Sequence, residues 1–364
     1  MRGWMGKFRS LFLFGTLALI LSGCGQENLS ALRPKGYGAD LIFDLMMISI
    51  AIMIFVFIIV MAIYAFVLIR YRQKKGDEDV VPKQVEGNKT LEIIWTVIPI
   101  ILLLVLAVPT VQATFDLADQ STQGDDGVLT VEVTGNQYWW HFNYQGEEVS
   151  TSQELYIPVG ERVYLDMKAT DVIHSFWLPS IAGKMDTNPG ENINTMYLEA
   201  YEEGVYWGHC TELCGPSHSL MDFRVIAVSP EKFEQFKEDL RNIDPEAEPE
   251  TSTAQEGQDL FNNNCMSCHA IGNAPMGVGP NLSNFANRER IAGILDPTQE
   301  NLTDWILNPD EYKPGNKMPA VFEGEQFADL TKEEKRDQAE KIAEYLLQLD
   351  HSDVGVDAPT QSEN

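Results

Sequence analysis

Cysteine and positive charge are both scarce in this chain. Its 364 residues contain five cysteines: Cys24, Cys210, Cys214, Cys265 and Cys268. A secreted disulfide scaffold uses more of them and spreads them wider. They fall as one lone residue, one C-x3-C pair and one C-x-x-C pair, so at least one has another use. Lysine and arginine number 26 against 54 acidic residues, for a net charge of −28. Such a surface repels a phosphate backbone, which argues against nucleic acid as a partner. It suits a basic protein partner drawn in by long-range steering. The length points to two or three folded units.

The first 23 residues read as a secretory signal. Arg2, Lys7 and Arg9 form a positive n-region and residues 11–21 a short apolar core. The ending Leu21-Ser22-Gly23-Cys24 resembles the lipobox of bacterial lipoproteins, which would place lipid on Cys24. Residues 24–39 then form an extracytoplasmic segment, and a two-helix membrane hairpin follows over 40–115. Its apolar runs, 41–69 and 93–111, are long enough to span a bilayer. The loop at 70–90 carries Arg70, Arg72, Lys74, Lys75, Lys83 and Lys89, which makes it cytoplasmic by the positive-inside rule. Everything after about residue 115 then lies outside the cell membrane, in an oxidising compartment. Glu92 sits at the cytoplasmic mouth of the second span, where an ionisable group is a functional candidate.

Residues 116–230 make the first soluble unit. Alternating runs such as 162–167 and 222–228, with turn signals at 158–160 and 188–190, predict a β-sandwich or Greek-key barrel. Within it stand Cys210, Glu212, Cys214, His218 and Met221 in the pattern C-x-E-x-C-x3-H-x2-M, with His174 upstream. Thiolate, imidazole and thioether together suit copper better than any hard cation. Two thiolates four residues apart can bridge two metals and let them share one electron. A disulfide between Cys210 and Cys214 is the alternative, as is a zinc site, although zinc gains nothing from Met221.

Residues 231–253 are acidic and contain Pro245 and Pro249, and they read as a linker. A second unit spans 254–350. It contains Cys265-Met266-Ser267-Cys268-His269, and C-x-x-C-H in an exported protein signals covalent c-type haem. Two thioethers fix the porphyrin and His269 reaches the iron. A thioredoxin-like pair would need a βαβ context, which is missing. Met318 is the candidate for the sixth ligand, and Met276 is the rival, placed close to the attachment site. Ile342, Tyr345, Leu346 and Leu349 recur at helical spacing. Residues 351–364 read as a disordered tail.

On these motifs residues 40–228 resemble subunit II of the haem–copper cytochrome c oxidases. Residues 254–350 resemble a class I cytochrome c, in which Met318 matches the axial methionine loop. Together they resemble the caa-type arrangement. The resemblance implies a transmembrane hairpin, an all-β cupredoxin Greek-key barrel and an all-α cytochrome c domain. It implies that His174, Cys210, the Glu212 carbonyl, Cys214, His218 and Met221 hold the binuclear copper centre CuA. The Glu212 side chain would bind a magnesium ion at the interface with subunit I. Segment 91–96 matches the family's second-helix motif, which puts Glu92 at the mouth of a proton pathway into subunit I. Electrons would pass from external cytochrome c through haem c and CuA to subunit I. Oxygen reduction belongs to subunit I, so this chain alone reduces no oxygen, and the remaining oxidase subunits and membrane lipid complete its partners.

One position departs from the family pattern. Mitochondrial-type relatives place a tryptophan, through which electrons arrive, where this chain has Tyr138. His141, His209 and His351 match no family ligand. Two other functions use similar parts. The matching subunit of a copper-containing nitric oxide reductase has the same sites, and a membrane copper chaperone needs only C-x3-C and a histidine. A quinol oxidase subunit is disfavoured because that branch lacks the copper ligands.

Overall fold

The computed structural model describes residues 12–17, 27–73, 84, 86–272, 277–352, 354 and 355. The expectations for Cys24, Met276 and the lysines at 74, 75 and 83 fall outside the described residues.

Two long helices come first, α1 (Tyr37–Arg70) and α2 (Lys89–Leu117). Both are long and apolar enough to cross a membrane, and their apolar faces are left bare. The Asn88 side chain caps α2, accepting from the amides of Thr90 and Leu91. At the other end of the hairpin the helices touch the soluble unit: Ala39 and Ala113 are buried, and the Ala39 amide donates to Ile181 O.

A ten-stranded, nearly closed barrel follows. Its strands are β1 (Thr130–Asn136), β2 (Trp139–Tyr144), β3 (Val149–Ser152), β4 (Glu154–Pro158), β5 (Val163–Ala169), β6 (His174–Trp177), β7 (Lys184–Pro189), β8 (Asn194–Leu198), β9 (Gly204–Cys210) and β10 (Asp222–Val228). The order around the sheet is β3-β2-β1-β5-β7-β6-β9-β10-β4, with β8 also paired to β5. Alternate residues of each strand point inward, and the centre is aromatic. Trp140 meets Phe176 and Phe223 edge-on at 5.5 and 5.4 Å, and those two rings stack at 4.1 Å.

The acidic segment differs from its expected form. Residues Pro230–Arg241 are a helix, α3, and not linker. Ser229 caps it, and Phe233, Phe236 and Leu240 are buried against the barrel at i, i+3, i+7 spacing. The Phe236 ring stacks on Tyr156 at 3.9 Å. Charged residues on the other face hid this stripe, because composition averages over both sides of a helix. Only residues 242–251 then connect the two soluble units, and Ile243 within them packs against both cores.

The second unit is helical: α4 (Ser252–Asn264), α5 (Gln299–Leu307), α6 (Pro309–Tyr312) and α7 (Lys332–Leu346). Helices α4 and α7 cross closely at Gly257. A Cβ there would stand 2.0 Å from the Lys341 carbonyl oxygen, so the crossing admits only glycine. Thr331 and Glu334 form a capping box on α7. The start of the expected disordered tail is also packed. Ser352 Oγ donates to Asp239 on α3 at 2.9 Å, and Val354 joins the barrel core. Residues 356–364 lie outside the described set.

Candidate metal centre and cytochrome cavity

Strand pairing brings the distant ligand candidates together. Strands β6 and β9 are antiparallel neighbours with Phe176 opposite Cys210, which places His174 beside the end of β9. The β9–β10 loop then supplies Cys214, His218 and Met221. The Cys210 and Cys214 sulfurs lie 3.9 Å apart, and both thiols are free. A disulfide needs about 2.05 Å, so the disulfide alternative does not describe this pair. Cys210 Sγ is 4.0 Å from His174 Nδ1 and 3.3 Å from the Glu212 carbonyl oxygen. Cys214 Sγ is 3.7 Å from His218 Nδ1 and 3.9 Å from Met221 Sδ. His174, Cys210 and Cys214 converge as a buried metal-capable group. Around two sulfurs the chain thus gathers two imidazoles, a thioether and a carbonyl, a soft donor set that fits copper.

Hydrogen bonding from the Cys214 thiol, against the cost of burial, holds Cys210 well below the ordinary thiol range, while Cys214 is pushed up. Burial opposes charge on His174, but the Asp171 carboxylate and Cys210 outweigh it and raise its pKa. Burial likewise opposes charge on Asp171. Hydrogen bonds from His174, Lys317, Gln137 and Val172 nevertheless hold that carboxyl far below its usual range.

In the helical unit a turn at the end of α4 carries the C-x-x-C-H motif. The amides of Cys268 and His269 both donate to Cys265 O, at 3.0 and 2.9 Å. This turn sets both thiols and the imidazole along one wall of a cavity of about 630 Å³. Met318, Phe285, Trp305 and Phe322 also line it. The His269 Nδ1 is engaged with Pro280 O at 2.8 Å, which leaves Nε2 for a metal. Burial lowers the His269 pKa, which favours the neutral ring that an iron ligand needs. The apolar lining, the paired thiols and the free imidazole nitrogen fit a covalently attached haem.

The barrel closes one side of this cavity with Gln137, Tyr138 and Trp139. Tyr138 is only 3% exposed. Its ring lies over Gly215, where a Cβ would meet the Tyr138 oxygen at 2.4 Å. Gln137 Nε2 donates to the Cys214 carbonyl. The units also meet at Glu154 and Arg224. The Glu289 amide donates to Glu154 Oε1 at 3.0 Å, and Arg224 pairs with Glu289 at 3.3 Å. Burial pushes the Glu154 carboxyl up to about 7, against the pull of Arg288 and Arg224.

The unassigned histidines are held by other partners. His209 Nδ1 pairs with Asp222, its register partner across β9 and β10. His141 is buried, which pushes its pKa down to about 4. His351 is partly buried beside Asn284. Glu212 and Glu92 have exposed side chains.

Comparison with known proteins decides the family. Residues 30–113 match the cytochrome c oxidase subunit II transmembrane domain, residues 145–228 its periplasmic domain, and residues 254–350 cytochrome c. A cytochrome c oxidase subunit 2 from Alkalihalophilus pseudofirmus is 46% identical over 354 residues, covering 96% of this chain and 99% of the relative. The chain belongs to the cytochrome c oxidase subunit II family. A second subunit 2 of that oxidase, from Bacillus sp. PS3, is 44% identical over 94% of this chain and 98% of its own length. A quinol oxidase subunit 2 from Bacillus cereus is 32% identical over 63% of this chain and 79% of its own length. As a subunit II with a cytochrome c domain, the chain is a membrane-anchored electron-transfer subunit of a haem–copper oxidase, and its periplasmic and cytochrome domains imply copper and haem c.

Proposed function

We propose that this chain takes electrons from an external cytochrome c at its helical unit and delivers them from its barrel to subunit I. The shared wall carries this reading: Tyr138 and its neighbours bound the cytochrome cavity on one side and touch the Cys214 loop on the other. Cys265 and Cys268 would attach the haem, with His269 and Met318 on its iron. His174, Cys210, Glu212 through its carbonyl, Cys214, His218 and Met221 would hold CuA. Bound there, the two groups supply one-electron redox chemistry.

The chain's own residues do the rest. The barrel fixes the soft ligands in a buried site, and the Asp171 carboxylate orients His174. Exposed Glu212 is placed to share a magnesium ion with subunit I, and Glu92 to admit protons beside α2. Cys24 carries lipid, and the two helices make the chain a multi-pass protein of the cell membrane. A copper chaperone needs neither the fully buried Met221 nor the cytochrome cavity.

The soluble part of this chain, from about residue 116 onward, is expected to bind two coppers and one covalent haem. Its electron paramagnetic resonance spectrum should show one unpaired electron shared by two equivalent coppers. A mononuclear copper signal at full loading would remove the CuA assignment. Met318→Ala is expected to leave the haem attached, since attachment depends on Cys265 and Cys268. It should lower the haem potential, because the lost thioether favours ferrous iron. An unchanged potential would show that another residue is the sixth ligand.

A further inference from the structure

Asp171 stands between the two sites and is engaged by both. Its Oδ1 accepts from His174 Nε2 at 2.9 Å and from the Val172 amide at 2.8 Å. Its Oδ2 accepts from Lys317 Nζ at 2.6 Å and from the Gln137 amide at 2.9 Å. The other nitrogen of His174 faces Cys210. Lys317 precedes Met318, whose amide is tied back to Asn316 Oδ1 at 2.8 Å. Two more contacts pin the same loop to the barrel. Lys313, buried, donates to Tyr138 O at 2.9 Å, and Ser217 Oγ donates to Pro314 O at 2.8 Å. Ser217 lies between Cys214 and His218. The loop that carries Met318 is therefore fastened to the barrel at three points, two of them on segments that carry copper-ligand candidates.

We infer that Asp171 is a positioning residue shared by the two sites, and that Lys317, by seating on it, raises the reduction potential of the copper site while the cytochrome unit is docked. The inference rests on the copper reading above. A carboxylate that accepts from the far nitrogen of a metal-bound histidine makes that ligand more electron-rich, which favours the oxidised metal. An ammonium on the same carboxylate draws that charge away. It also adds a positive charge near the site, and both effects favour the reduced state. Asp171 is 12% exposed, so solvent screens it weakly, whereas Lys317 is 59% exposed, which keeps the effect modest. Linkage makes the coupling reciprocal: the reduced copper site holds the cytochrome unit more tightly by the same factor. A contact that served docking alone would leave the copper potential unmoved.

The test is a redox titration of the copper signal in the intact oxidase. Lys317→Ala should lower the copper potential by about threefold in the one-electron equilibrium, or ~30 mV where a tenfold change is ~59 mV. Lys317→Arg should restore it, with haem content and haem potential unchanged. In an Asp171→Asn background the Lys317→Ala effect should shrink to its small through-space part, because the group that transmits the rest has lost its charge. An unchanged copper potential in Lys317→Ala, or an equal fall in the Asp171→Asn background, would overturn the inference. If the unsubstituted oxidase lacked the shared-electron copper signal, the copper reading itself would fail instead.

Discussion

Replacing Cys265 and Cys268 with alanine is expected to cut oxygen consumption driven by soluble cytochrome c by ~10²-fold or more, the advantage that tethering a carrier commonly confers. The variant cannot attach haem, so the carrier fused to the barrel is lost. The surface beneath it is not free for a substitute. Tyr138 is 3% exposed, and the cytochrome unit is fastened over it by Lys313, Ser217 and Lys317. Ile243 in the connector packs against both cores, and Val354, beyond the last helix, packs into the barrel core as well. The cytochrome unit is thus held in place and does not sample the barrel from a long flexible tether. A small reductant that reaches copper without docking should keep its rate, and the copper resonance signal should persist. Rising salt should slow delivery from a basic external donor by screening. It should leave transfer between the seated units nearly unchanged, since no encounter limits it. Full activity with soluble cytochrome c in the haem-free variant would show that electrons reach the barrel directly.

What the sequence disclosed depended on how local each feature is. Cys210, Cys214, His218 and Met221 fall within twelve consecutive residues, and Cys265, Cys268 and His269 within five, so spacing alone points to their chemistry. His174 is 36 residues from Cys210. Only the β6–β9 pairing unites them, so in the sequence His174 stood as an upstream histidine that could complete the set, with no spacing rule to tie it to the cysteines. The contacts between the units lay further out of reach. Lys313 and Tyr138 are 175 residues apart, and Lys317 and Asp171 are 146 apart. No periodicity or spacing rule links such pairs. A weak signal for Asp171 did exist, since it precedes His174 by three residues in a turn, close enough to reach the ring. Helix α3 was missed for a different reason. Its three buried apolar residues are outnumbered by acidic and basic neighbours, so the segment reads as solvated until its spacing is counted.

Cys214→Ser is expected to stop electron delivery to subunit I while leaving the haem in place and reducible. Cys214 is the hub of the candidate copper site: its sulfur lies within 4 Å of Cys210 Sγ, His218 Nδ1 and Met221 Sδ. A serine oxygen is a hard donor with a high proton affinity and cannot replace a thiolate shared between two soft metals. Cys210 would keep His174 and the Glu212 carbonyl near it, a set that serves one copper at most. It would also lose the neighbouring thiol that holds it ionised. The barrel should survive, because its strands are paired on every side of the site and Gln137 bonds the backbone carbonyl of Cys214, not its side chain. During turnover with cytochrome c the haem should therefore stay reduced, and oxygen consumption should fall to background. Metal analysis should show at least one copper fewer for each copy of this chain, with no shared-electron signal. Steady turnover with a full copper complement would mean that the electron leaves the cytochrome unit by another route.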